Sequence, residues 1–264
     1  MARLRVLITV KTYPHPSRKY EEIVCTAGIR EHGGFVRLYP IRFRALSYEK
    51  QYAKYQWVEL DAERHPQDPR PESLRPKLDS VQPVGSPLGT DHAWSARKRV
   101  VLPHLRASME ELRERQARDR TSLGLVRPAA VEDLIVARRR DPNWTPAELE
   151  LLRQSNLFGP SLTPLPKVPY YFRYSFRCHG PRCRGHRLMV DDWELGALYF
   201  RMLRAHGEES VAVQKVREKF LGELCGDMVD TCFFVGNTKE HESGWLVLGV
   251  FYPPKQSQLG LPLG

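Results

Sequence analysis

The run RLRVLITVKTY, Arg3 to Tyr13, alternates apolar and polar positions with the period of two that a half-buried strand requires. EEIVCTAGI (21–29) and GGFVRLYPI (33–41) repeat the pattern around a His32-Gly33-Gly34 turn, which predicts a hairpin. ALSYEKQYAKY (45–55) has Leu46, Tyr52 and Tyr55 available for one face of a short helix, and QWVELDAE (56–63) returns to strand alternation. From Arg64 to Asp91 the prolines 66, 69, 71, 76, 83 and 87 interrupt any regular period, so the stretch reads as a linker or long loop.

A helical period follows from Ala93 to Arg120, broken near Pro103 and restarted by Ser108 and Glu111 in a capping-box arrangement. SLGLVRPAAVEDLIVARRR (122–140) predicts two strands with a turn at Pro128, and TPAELELLRQ (145–154) a short capped helix. YYFRYSFRC (170–178) and HRLMVDD (186–192) are strands on either side of a polar turn. Glu194–Leu224 is helical with a break at His206-Gly207, and DTCFFVGN and GWLVLGVFY close the pattern. The expected fold class is α+β: two small β-rich, barrel or OB-like units with inserted helices. The expected boundaries are 1–63 for an N-terminal barrel-like unit, 64–92 for the linker, 93–252 for a helix-plus-β domain, and 253–264 for a tail.

The 264 residues are 41% apolar and 27% charged, enough to fold around a sizeable core without disulfides. No stretch is long and apolar enough for a membrane helix, and the N-terminus reads as a strand rather than a signal peptide. The expectation is a cytoplasmic protein with no membrane partner, its five cysteines reduced or bound to metal.

Charge narrows the partner. Lys and Arg outnumber Asp and Glu by 41 to 31, and such a surface points to nucleic acid, RNA or DNA, single-stranded or structured. Basic and aromatic residues interleave near the N-terminus, as a grip on phosphates and bases requires: Lys11, Tyr13, Arg18 and Lys19, then Arg37, Tyr39, Arg42 and Arg44. These residues with the VCTAGI and VRLYPI segments, a later C-x4-C-x2-H…DWE and a final VGN…FYPP, resemble a family of uncharacterised bacterial proteins. The first segment is also loosely similar to proteins with two OB-type barrels. The resemblance implies cytoplasmic association with nucleic acid and carries no reaction with it.

Cys178, Cys183 and His186 share a turn containing Gly180, Pro181 and Gly185. Two thiolates and an imidazole converging on a tight turn suit Zn2+, with His241 on the last hairpin as the expected fourth ligand; an ordinary glycine-rich turn is the alternative. Asp191, Asp192 and Glu194 end a strand and open a helix. They read as a cap or, together with Lys239 and His241, as the acids and bases of a metal-dependent nuclease. Whether the chain is an enzyme stays open at this point, as does a third reading, a protein-interaction subunit of a bacterial complex. No phosphate-cradling glycine loop or Ser/His/Asp signature is evident.

Overall fold

The computed structural model describes residues 1–17, 21–153 and 163–255. Its first unit consists of β1 (Ala2–Lys11), β2 (His15–Ser17), β3 (Glu21–Arg30), β4 (Phe35–Ile41), β5 (Trp57–Arg64), β6 (Ser73–Pro76) and β7 (Gln82–Val84). The ring β1-β3-β4-β6-β5 closes through pairing of β5 back onto β1, giving a five-stranded barrel. The β3–β4 hairpin turns where Gly33 and Gly34 take φ of +88° and +84°, left-handed values that glycine adopts without strain. Inside sit Val6, Ile8, Val24, Val36, Leu38, Val58 and Leu60, the alternate residues of the predicted strands.

Two segments behave differently from their sequence pattern. Residues 45–55 form no α-helix: two short 3-10 turns, Phe43–Ala45 and Tyr48–Lys50, take their place. Tyr52 is wanted inside the barrel and Tyr55 outside it, against the second unit, whereas one helix face would hold both. Tyr55 takes φ of +61° to make that divergence. The proline-rich stretch supplies β6 and β7, both short. Pro76 and Pro83 are accommodated because β6 makes few ladder bonds and β7 lies at the end of the strand path.

Then come α1 (Asp91–Val101), a 3-10 turn around Pro103, β8 (Leu105–Arg106) and α2 (Met109–Asp119), so the predicted break is present. The second unit continues with β9 (Leu123–Val126), β10 (Pro128–Arg138), α3 (Pro146–Arg153), β11 (Tyr170–Cys178), β12 (His186–Val190), α4 (Trp193–His206), α5 (Glu209–Arg217), β13 (Cys232–Asn237) and β14 (Trp245–Phe251). Gly207, at φ +75°, ends α4 at the expected place. The sheet order is β10-β11-β12-β14-β13-β9-β8.

One face of this sheet packs Tyr174, Phe176, Phe233 and Val247 against Leu195, Tyr199, Val216 and Phe220 of the helices. On the other face, Leu123, Leu125, Phe234 and Leu248 meet Val10, Ala27, Ile29 and Tyr55 of the barrel, with Trp94 and Val101 of α1 in the same cluster. The barrel therefore covers the β9-β13-β14 part of that face.

Candidate metal centre and basic surfaces

The β11–β12 turn closes through Gly180 and Gly185, at φ +108° and +91°, with the Cys183 amide donating to the Gly180 carbonyl at 3.3 Å. The closure puts the Cys183 sulfur 3.1 Å from the Cys178 amide, which donates to it, and 3.2 Å from His186 Nε2. A fourth group arrives from α2. Ser108 caps that helix by accepting from the Glu111 amide, and the Met109 amide donates to Cys178 Sγ at 3.4 Å. This docking leaves Glu110 Oε1 3.2 Å from His186 Nε2. The ligand atoms of Glu110, Cys178, Cys183 and His186 all lie within 4.8 Å of one another, so one metal ion can reach all four.

Cys178 and His186 are buried, each 5% exposed, while Glu110 and Cys183 are half-buried. Burial pushes the Cys178 thiol up to about 11 and the His186 imidazolium down, so the site favours neutral sulfur and nitrogen unless a cation is present to draw the charge out. His186 Nδ1 has no hydrogen-bond partner among the described residues, and its ring lies 5.1 Å from that of Phe176. Two sulfurs, one nitrogen and one oxygen form a donor set that suits a borderline-soft ion.

His241 is not in this cluster. Its loop packs on the other end of α2, where Gln116 donates to the Glu242 carbonyl and accepts from Trp245 Nε1. Gln116 and Glu110 are six residues apart, about 9 Å along a helix. Glu110 escaped the sequence reading because SMEEL satisfies a capping box and the acid three residues after Ser108 drew the attention.

The acids expected of a nuclease are separately engaged. Asp192 is buried and caps α4, accepting from the Glu194 amide at 2.8 Å. Lys54 lies 3.4 Å from Asp192 Oδ2 and 2.9 Å from Glu194 Oε2, holding the position a divalent cation would take. Burial pushes the Asp192 carboxyl up to about 6 against the pull of Lys54. Asp191 faces the other way, its Oδ1 3.2 Å from His15 Nε2. Lys239 and His241 are exposed on the β13–β14 loop.

Most of the predicted nucleic-acid footprint is also occupied. Arg37 is 2% exposed and donates to Ser73, Ser122 and the carbonyls of Ser122 and Asn237, so it is a tie between the units. Arg70, held by Asp68, reaches the same Asn237 carbonyl. Tyr13 is buried against Gly196 of α4 and donates to the Pro166 carbonyl. Lys11 lies 4.2 Å above the Phe43 ring and donates to the Tyr52 carbonyl, and burial pushes its ammonium down to about 8. Arg44 pairs with Glu22 at 2.7 Å. Arg42 is half-buried just past β4. Tyr39 lines a cleft between the units with His15, Cys25, Asp191, Lys239 and Leu246. Arg18 and Lys19 lie outside the described residues.

Cations paired with rings occur on the second unit as well as on the barrel, where Arg5 lies 5.2 Å over Trp57. Arg139 and Arg173 lie 3.9 and 4.8 Å over Tyr171, Arg138 lies 5.4 Å over Tyr170, and Lys167 lies 5.1 Å over Trp144. Their signal in the sequence is the alternation of YYFRY beside VARRR, which by itself predicts only strands.

A family model described as a domain of unknown function (DUF8757) matches residues 105–263, more than half of the sequence. The chain belongs to this family. A second such model (DUF8758) matches residues 2–103, so the two meet at the turn between α1 and β8. No curated protein matches the sequence. Among solved structures, the crystal structure of the tetrameric p202 HIN2 is similar at 10% identity and a TM-score of 0.30, over 97% of this chain and 92% of that one. Among the described residues, no helix is long and apolar enough to cross a membrane.

Proposed function

We propose that this is a nucleic-acid-binding protein of the cytoplasm whose C-terminal unit is held by a structural zinc ion. The observation that carries the zinc is the four-donor cluster joining α2 to the β11–β12 turn. Sulfur and imidazole ligands favour zinc over the harder cations, and four protein ligands leave no position for a reactive water. Zinc in place would draw the protons from both thiols and fix the helix on the hairpin. The reducing compartment follows from the need to keep Cys178 and Cys183 as thiolates.

Nucleic acid is supported by the excess of ten positive charges and by arginines that lie on aromatic rings rather than on carboxylates. The role is binding rather than hydrolysis, since Lys54 neutralises the acids a nuclease would offer to Mg2+. Elemental analysis of protein purified without chelator should give one zinc per chain, and labelled oligonucleotides should bind saturably at low salt. A metal-free protein that is fully folded refutes the first part; no binding of single strand or duplex at low salt refutes the second.

A further inference from the structure

The second sheet has two faces, and the barrel covers only the β9-β13-β14 part of the one that looks away from the helices. The remainder, on β10, β11 and β12, follows from the register. Tyr171 and Arg173 alternate with the buried Phe172 and Tyr174, so they point to the uncovered side. Arg173 stands opposite Ile135 on β10 and Met189 on β12; Ser175 stands opposite Arg187; Met189 stands beside Leu246. All of these are half-buried or exposed among the described residues. Met189 and Leu246 also line the cleft between the units, so the uncovered face runs directly into it.

Its chemistry is specific. The Tyr171 ring lies between two guanidinium groups, Arg139 and Arg173, neither of which has a carboxylate partner among the described residues. Glu132, the acid at the far end of the face, is engaged by Ser175 and Arg177. Beyond Arg139, Lys167 lies over the Trp144 ring at a concavity by the end of the sheet that Arg139 also lines, together with His15, Tyr170, Asp191 and Asp192.

We infer that this face, centred on Tyr171, Arg173 and Arg139, is a binding track for single-stranded nucleic acid, which crosses the three strands toward the cleft. The inference rests on the nucleic-acid reading above and gives it a place and a substrate class. A base stacks on Tyr171 when an arginine moves from the ring to a phosphate, and an open sheet presents rings to unstacked bases as a duplex cannot use them.

The test is fluorescence anisotropy with a labelled oligothymidylate of about 15 nucleotides and the matching duplex, on the full chain and its variants. Tyr171→Ala should weaken single-strand binding by roughly 5- to 100-fold, and Tyr171→Phe should keep it, since the ring rather than the hydroxyl stacks. Arg173→Ala should flatten the log–log salt dependence by about 0.7 for the phosphate lost. Arg3→Ala, at the start of β1 where Arg3 pairs with Glu59, should change little. Melting temperatures show that each variant is folded. Unchanged affinity in folded Tyr171→Ala and Arg173→Ala beside a wild type that binds overturns the track while the function stands, as does tighter binding of duplex than of single strand. A wild type that binds neither form overturns the function and the track together.

Discussion

The guanidinium of Arg37 donates to two hydroxyls and two carbonyls inside the protein, two of these four acceptors belonging to Ser122 and one to Asn237. Replacing it by Met removes all four bonds, leaving the Ser122 carbonyl only the Asn237 amide and the Asn237 carbonyl only Arg70, and should lower unfolding stability by about 3 kcal/mol in urea titration. A folded Arg37→Met with undiminished stability would mean the tie is dispensable. At the metal centre, His241→Ala should keep one zinc per chain, while Cys183→Ser and Glu110→Ala should lose or weaken it, read by elemental analysis and chelator competition. Lys11 carries a pH signature. Its pKa falls from 10.5 to about 8 on folding, so the unfolded chain binds more protons between those values. The contribution is complete above about 10.5 and is lost as the pH falls through about 8. Wild type should therefore gain on Lys11→Met by on the order of 2 kcal/mol between pH 7.5 and 10.5, measured by denaturant unfolding. Three of the four cluster residues were legible because C-x4-C-x2-H lies within one turn. Glu110 was not, because its approach depends on how α2 docks on the hairpin. The N-terminal arginines were misleading for a related reason: alternation places Arg37 on a strand face but does not tell that a second unit covers that face.

Elements were easier to read than contacts. The barrel strands, the β3–β4 hairpin, the Pro103 break and the Gly207 stop follow from local period and turn chemistry. Residues 45–55 did not, because Tyr52 and Tyr55 serve opposite clusters and only the assembled molecule sets that demand. The short strands β6 and β7 were hidden for the same reason, as their pairing partners lie elsewhere in the chain. The packing of α4 on the barrel gives a test at this scale. A Cβ on Gly196 would stand 2.3 Å from Tyr13 Cδ2, so Gly196→Ala must displace the ring or the helix. It should cost about 1–3 kcal/mol in thermal or urea unfolding, and Tyr13→Ala in the same background should cost less than the two changes summed. Strict additivity would show that the helix and Tyr13 do not meet.

At the scale of the whole molecule, a shared apolar cluster and the Arg37–Asn237–Arg70 tie join the barrel to the second sheet, which should make the two units unfold in one transition. The same assembly separates the roles of the basic residues. On the barrel Arg37 turns inward and Arg44 pairs with Glu22, whereas Arg139, just past β10, and Arg173 of β11 lie over the Tyr171 ring. The central claim is that the protein holds nucleic acid by its phosphates, and salt dependence tests it most directly. Affinity for a single-stranded oligonucleotide should be measured from about 50 to 200 mM salt and plotted as log K against log salt. A straight line with a slope of about −2 or steeper, three or more phosphates at roughly −0.7 each, is the predicted result. A slope near zero, or no binding at the lowest salt, would contradict the account.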